Sequence, residues 1–147
     1  MNEVAFLIPG DLDLPTGAFG YDRSVLRKLP QHGVHAMHVA LPGAFPEPSK
    51  QDLADCAAII RSLPTSAILL IDSLAYSAMP SEMIRSFGRP IVAVCHHPLA
   101  LENGISAIKA QALHLSETTA LALADHIIVT SSLTARILEG DFTVPRD

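Results

Sequence analysis

The chain is poor in three features that mark large classes of protein: cysteine, positive charge and long apolar runs. Cys56 and Cys95 are the only cysteines among 147 residues, and we interpret them as reduced core thiols of a cytoplasmic protein. A formal net charge of -5 argues against a nucleic-acid partner, which would require a positive surface. Apolar residues come in short runs broken by proline, glycine or charge, far below the ~20 residues that span a bilayer.

The sequence also lacks a signal-peptide pattern, an internal repeat and a low-complexity segment. A hydrophobic fraction of 49% with 17% charged residues is typical of a globular chain. A chain of this length buries roughly two-thirds of its unfolded surface, which is enough for a real core. We therefore expect one domain in the cytoplasm, with a peripheral position on the inner membrane face as a further location.

Short apolar segments alternate with helical patterns along the whole chain. Strands are predicted at 3–9, 34–41, 67–71, 91–95 and 127–130. Helices are predicted at 21–29, 49–63, 73–87 with a break at Pro80, 106–124, and from a Ser132 cap to Leu138. This order predicts a Rossmann-like, doubly wound parallel sheet in a three-layer α/β/α fold, with strand order 3-2-1-4-5.

Two of the predicted helices have an apolar face that the spacing of residues defines. The helix at 49–63 should bury Leu53, Cys56, Ala57, Ile60 and Leu63. The helix at 106–124 should bury Ile108, Ala112, Leu115, Thr119 and Leu123.

The strand at 91–95 delivers His96 and His97 to its C-terminal end, where ligands bind in open α/β sheets. Adjacent residues at a strand end point to opposite sides, so one imidazole should face the cleft and the other the protein. Asp72 ends the third strand, and Glu102 follows the histidine turn, so both belong to the same predicted edge. The alternative is that the histidines are polar turn residues and the two acids solvated loop residues.

Other polar clusters are weaker candidates. Gly10, Gly17 and Gly20 follow the first strand and could present N–H groups to an anion, or could simply serve a turn that needs positive φ. A metal site built from His32, His35 and His38 fails on geometry, because His35 and His38 lie on opposite faces of one strand. Hydrolase signatures such as G-x-S-x-G and H-E-x-x-H are missing.

Four segments together resemble the N-terminal half of family 4 glycosyltransferases, which have the GT-B architecture. They are PGDLDLPTGAFGYD (9–22), ALPGAFP (40–46), HHPLALE (96–102) and ADHIIVTS (124–131). The resemblance spans essentially the whole chain, and the shared order and spacing of the segments carry it. It implies a retaining, metal-independent transfer of a sugar from a nucleotide-sugar donor to a small-molecule or glycan acceptor, without a cofactor.

The resemblance also implies roles for individual residues. The loop at Gly17, Ala18 and Phe19 corresponds to the family's donor phosphate loop, and Ala18 departs from it because the family has glycine there. His96 corresponds to the active-site histidine, with His97 beside it. Ser131 corresponds to the serine that ends the fifth strand.

The family's donor-binding domain and its Glu-x7-Glu signature do not appear within these 147 residues. We therefore expect an acceptor-side N-terminal domain, 1–147, that is folded but inactive alone and can self-associate through an uncovered cleft edge near Pro15, Phe19, Pro98 and Leu99. The alternative is a free-standing Rossmann-like binding or assembly module without catalysis.

Overall fold

Five parallel strands form one sheet in the order β2-β1-β3-β4-β5 in the computed structural model, which describes residues 3–146. The strands are β1 (Glu3–Pro9), β2 (His35–Leu41), β3 (Ile68–Asp72), β4 (Ile91–Cys95) and β5 (His126–Val129). Every strand pair is parallel. The predicted α/β class and Rossmann-like parallel sheet are thereby confirmed.

Within residues 3–146, six α-helices connect or follow the strands: α1 (Gly17–Lys28), α2 (Lys50–Ser62), α3 (Ser73–Tyr76), α4 (Ser81–Ser86), α5 (Ala107–Ala122) and α6 (Ser132–Asp141). Most begin at a side-chain cap that accepts a free backbone N–H of the first turn. Ser49 and Asp52 form a reciprocal capping box at α2. The cap of α6 is Ser131 and not Ser132 as predicted, because the Ser131 hydroxyl accepts the N–H of Thr134.

The predicted strand order 3-2-1-4-5 is wrong, because β3 lies between β1 and β4 and β2 is the edge strand. Burial explains the difference. β3 is apolar and almost fully buried, as an interior strand must be, whereas β2 carries exposed His35 and His38. The chain therefore reverses direction across the sheet after β2, which places the switch point between β1 and β3.

Alternate residues of β1 enter two separate cores, one on each face of the sheet. Ala5 and Leu7 join the core that α2 to α6 cover, while Phe6 and Ile8 join the core under α1. The predicted apolar face of α2 does pack on this core: Cys56 and Ile60 are fully buried, and Leu53 and Leu63 are partly buried against it. Helices thus pack on both faces, as the three-layer prediction requires.

The predicted apolar face of α5 is wrong. Ile108 is 83% exposed and Leu115 is 70% exposed, and the residues that α5 buries are Glu117, Ala120 and Leu121. The helix is apolar on most of its circumference, so the spacing of its large residues did not identify the inward side.

The apolar cleft-edge residues are mostly covered, contrary to expectation. Phe19, Pro98 and Leu99 are buried, and Pro15 alone of the four is exposed. Within residues 3–146, every helix is too short or too polar to cross a bilayer.

We expect Tyr76→Phe to lower the free energy of unfolding by about 1 kcal/mol, the net value of one hydrogen bond. The buried Tyr76 hydroxyl donates to the Ala120 carbonyl at 2.6 Å and ties α3 to α5. Urea denaturation followed by circular dichroism measures the change. An unchanged midpoint would show that this contact contributes nothing to stability.

Candidate functional site

Three polar side chains meet near the switch point of the strand order, just beyond the carboxyl ends of the central strands. Asp72 is the last residue of β3, His96 follows β4 directly, and Asp22 lies in the second turn of α1, the helix that follows β1. β3 and β4 are neighbours in the sheet, so Asp72 and His96 emerge side by side. Ligands bind at this position in open α/β sheets.

His96 Nε2 lies between the two carboxylates. It is 3.2 Å from Asp22 Oδ1 and 3.4 Å from Asp72 Oδ2. The Tyr21 ring and the imidazole pack nearly perpendicular to each other, with the ring centroids 5.4 Å apart. Asp22 and Asp72 are buried, whereas 17% of the His96 side chain reaches the surface. The imidazole is therefore the part of the cluster that a ligand can reach.

The two carboxylates hold His96 in its charged form. Burial alone would lower the pKa of His96, but hydrogen bonds to Asp22 and Asp72 outweigh it and raise the pKa to about 9. A general base must be unprotonated at the working pH. His96, with a pKa of about 9, is protonated near neutral pH. The geometry therefore suits His96 as a hydrogen-bond donor with a fixed positive charge.

The two acids differ in their protonation. Burial raises the pKa of Asp22 to about 7. Burial acts in the same direction on Asp72, but hydrogen bonds with His96, Asp22 and the Leu74 N–H hold the pKa of Asp72 below its usual range. Near neutral pH the cluster thus contains one carboxylate, one imidazolium and one carboxyl group that is partly protonated.

A proton on Asp22 would also satisfy two poorly paired oxygen atoms. Asp22 Oδ2 is buried without a hydrogen-bond partner among the described residues, and the buried Asp72 Oδ2 has only the 3.4 Å contact with His96 Nε2. Unpaired buried oxygens are costly, and a proton on Asp22 that is donated to Asp72 would satisfy both.

The His96 backbone is fixed by the C-terminal part of the chain. Thr134 Oγ1 donates to the His96 carbonyl at 3.2 Å, and the Ser131 hydroxyl lies 2.9 Å from the same Thr134 oxygen. Ser131, predicted as a cleft residue, therefore contacts the site through Thr134 and not directly.

The structure separates the predicted site residues into two groups. His96 and Asp72 meet in the cluster. His97 is exposed, so the expectation that the second histidine turns back into the protein is wrong. Glu102 is also exposed and ends the short 3-10 turn Leu99–Leu101, as the solvated-loop alternative described.

The predicted phosphate loop forms the start of α1. Gly17 and Ala18 occupy the first turn, and Thr16 caps it by accepting the Phe19 N–H at 3.1 Å. Phe19 is buried under the sheet, so it supports the loop and does not line a cleft. Positive φ occurs at Gly10, where the turn alternative was correct, and not at Gly17.

Two functional candidates were missed from the sequence, Asp22 and Glu117. Each is a carboxylate within the buried side of a helix: Asp22 follows Phe19 by three residues, and Glu117 precedes Ala120 and Leu121. Acidic residues are almost never fully buried unless they are paired, so an acid within an apolar helical stripe was the available signal.

The cluster has the composition of a divalent-metal site. One ligand atom each from Asp22, Asp72 and His96 lies within 4.8 Å of the others. A metal ion would have to displace the proton of His96, whose pKa is raised to about 9, and that of Asp22. This competition weakens metal binding at neutral pH.

His35 and His38 lie on opposite faces of β2, as predicted.

Comparison with known proteins adds no assignment. The chain matches no model of a protein family and no curated protein. What can be said of function therefore rests on the sequence motifs and the geometry of the site.

We expect Zn²⁺ or Mn²⁺ to leave the melting temperature of the protein unchanged to within about 1 °C, a small shift beside the several degrees that 1 kcal/mol produces. A cation present at a hundred times its dissociation constant would stabilise the fold by about 2.7 kcal/mol, which thermal denaturation detects easily. A rise in melting temperature that disappears in His96→Gln would instead identify the cluster as a metal site.

The raised pKa of Asp22 predicts a pH dependence of stability. Between its unfolded value of 3.8 and about 7, the folded protein keeps a proton that the unfolded chain has released, so stability falls as pH rises. An asparagine side chain cannot ionise, so Asp22→Asn should lack this decline. As pH rises from about 4.5 to about 6, the difference in stability between the two proteins should therefore change in favour of the variant. His96 is protonated in both the folded and the unfolded protein over this range. Melting temperatures across this range measure the difference.

Asp52→Asn is the matched control. The Ser49 backbone and side chain lower the pKa of Asp52, so Asp52 is ionised across that range and its difference from the wild type should stay nearly constant. A constant difference for Asp22→Asn as well would contradict the protonation of Asp22.

Proposed function

We propose that this chain is the acceptor-side domain of a retaining glycosyltransferase that transfers a hexose from a nucleotide-sugar donor. The observation that carries the proposal is the position of His96. It follows β4, as the resemblance implies, and two buried carboxylates hold it as a charged donor at the switch point of the sheet.

The protonation of His96 fits the chemistry of this transfer. Negative charge develops on the nucleotide phosphate as its bond to the sugar breaks, and a fixed donor stabilises such charge. His96 Nε2 is directed at the carboxylates, so the Nδ1 side of the imidazolium supplies a second N–H for a sugar hydroxyl or a phosphate oxygen.

The start of α1 supports a place for the donor phosphate. A helix N-terminus carries partial positive charge and free N–H groups, which favour an anion. A Cβ added at Gly17 would contact nothing within 4 Å, so the fold itself does not require glycine there. Ala18 is only partly exposed and adds a methyl group beside this position, so the approach of a phosphate is through Gly17.

In this proposal the partner of the chain is a second, donor-binding domain, and the 147-residue chain binds donor weakly and transfers no sugar. The reaction needs no metal and no cofactor. The enzyme is a hexosyltransferase, and the acceptor is a small molecule or glycan.

We expect UDP- or GDP-linked hexoses at millimolar concentration to shift the amide NMR signals of Gly17, Ala18 and His96. His96→Gln should abolish the shift, whereas His97→Gln, which removes an exposed ring outside the cluster, should preserve it. With the donor-binding domain attached, His96→Gln should lower kcat by about 10²-fold or more, the loss expected for one electrostatic donor.

Shifts that survive in His96→Gln, or that occur far from these residues, would contradict the proposed site. Sugar transfer by the 147-residue chain alone would contradict the division into two domains. A chain that binds no nucleotide-sugar would instead support the binding or assembly module without catalysis.

A further inference from the structure

Glu117 is a carboxylate buried within α5, a helix that contributes no side chain to the cluster around His96. Its side chain is almost fully buried, with 1% of the residue exposed. A buried carboxylate is unfavourable unless hydrogen bonds compensate its lost hydration. The hydrogen-bond partners of Glu117 therefore show which part of the chain its carboxylate holds.

Both Glu117 oxygens accept backbone N–H groups from the segment that follows the histidines. Oε1 accepts from Leu99 at 2.7 Å, and Oε2 accepts from Ala100 at 2.8 Å. Burial raises the pKa of Glu117, but these two donors favour the ionised form and oppose the shift. Charge-assisted bonds of this kind are about twice as strong as neutral ones.

The two N–H groups belong to the first residues of the short turn Leu99–Leu101, where the backbone has no partner of its own. His96 lies only three residues before Leu99, and Pro98 between them fixes φ at -61°. Thr134 fixes the same segment from the other side by its bond to the His96 carbonyl. The His96–Ala100 segment is therefore held at both ends by buried side chains.

We propose that Glu117 is the positioning residue of this site: its carboxylate clamps the Leu99 and Ala100 N–H groups and so sets His96 Nε2 between Asp22 and Asp72. The proposal deepens the proposed function, on which it rests only for the identity of the reaction. Among residues 3–146, the hydrogen bonds of Glu117 go to the Leu99 and Ala100 backbone and not to His96, so it acts through the backbone.

The proposal predicts that Glu117→Gln lowers the pKa of His96. The groups that face His96 are Asp22, Asp72 and Tyr21, and its raised pKa of about 9 depends on hydrogen bonds to the two acids. The amide nitrogen of the introduced glutamine cannot accept an N–H group, so one of the two bonds to Leu99 and Ala100 is lost. The segment should then shift, and the contacts of His96 with the acids should lengthen. A loss of about one unit or more is expected, since close opposite charges move a pKa by about 1–3 units.

NMR titration of the imidazole signals measures this pKa, with the His96 signal assigned from its absence in His96→Gln. The measurement uses the 147-residue chain and needs no sugar transfer, so its failure is distinguishable from failure of the proposed function. In the enzyme with a donor-binding domain, Glu117→Gln should lower kcat more than it raises KM.

Two further variants separate positioning from charge and from general stability. Glu117→Asp keeps the charge but shortens the side chain, so a positioning role predicts that the pKa of His96 falls here too. Tyr76→Phe removes a buried hydrogen bond to Ala120, one turn further along the same helix, and should leave the pKa of His96 unchanged.

An unchanged pKa of His96 in folded Glu117→Gln would overturn the proposal. A fall in Glu117→Gln but not in Glu117→Asp would replace positioning by a direct charge effect. If both Glu117 variants fail to fold, Glu117 is needed for the core and not for positioning His96. That outcome would overturn the proposal as well.

Discussion

The site depends on one constraint, the placement of His96 Nε2 between two buried carboxylates. Neither acid can be ionised in this setting without compensation, because burial alone raises the pKa of both. The imidazolium provides that compensation, and the acids in turn keep it protonated. Removing one partner of such a buried pair strongly destabilises the fold, because the remaining charge loses its compensation. The geometry of the three groups must therefore be set by the fold.

The strand order supplies this geometry. If β3 were the outer strand, two strands would separate it from β4, and Asp72 would lie about 14 Å from His96 at the usual spacing of about 4.8 Å per strand. With β3 beside β4, the two residues emerge next to each other, and α1 brings Asp22 to them from the adjacent β1. In open α/β sheets, ligands bind beside such a switch point, which here lies between β1 and β3. The same topology thus brings the three groups of the cluster together.

The sequence predicted the strands, the parallel sheet and the position of His96 well, because apolar runs and their alternation with helices are local signals. It predicted the strand order wrongly, because order depends on which strand is buried on both faces. The histidines of β2 and the unbroken apolar run of β3 contained that information. The inward side of α5 was not predictable from large apolar residues, since Ile108 and Leu115 are exposed while Glu117 is buried.

The two residues missed in the sequence have a common physical origin. Asp22 and Glu117 are acids on the buried sides of α1 and α5, where an apolar residue of similar size would pack without the cost of desolvation. Asp22 offsets that cost with an imidazole, and Glu117 offsets it with two backbone N–H groups. In both cases the compensating partner lies in the segment that follows β4. Both α1 and α5 thus carry a buried carboxylate that holds the segment after β4. That segment contains His96, whose imidazole reaches the surface. A fold that needed this segment only as a connection between β4 and α5 would have no use for either acid.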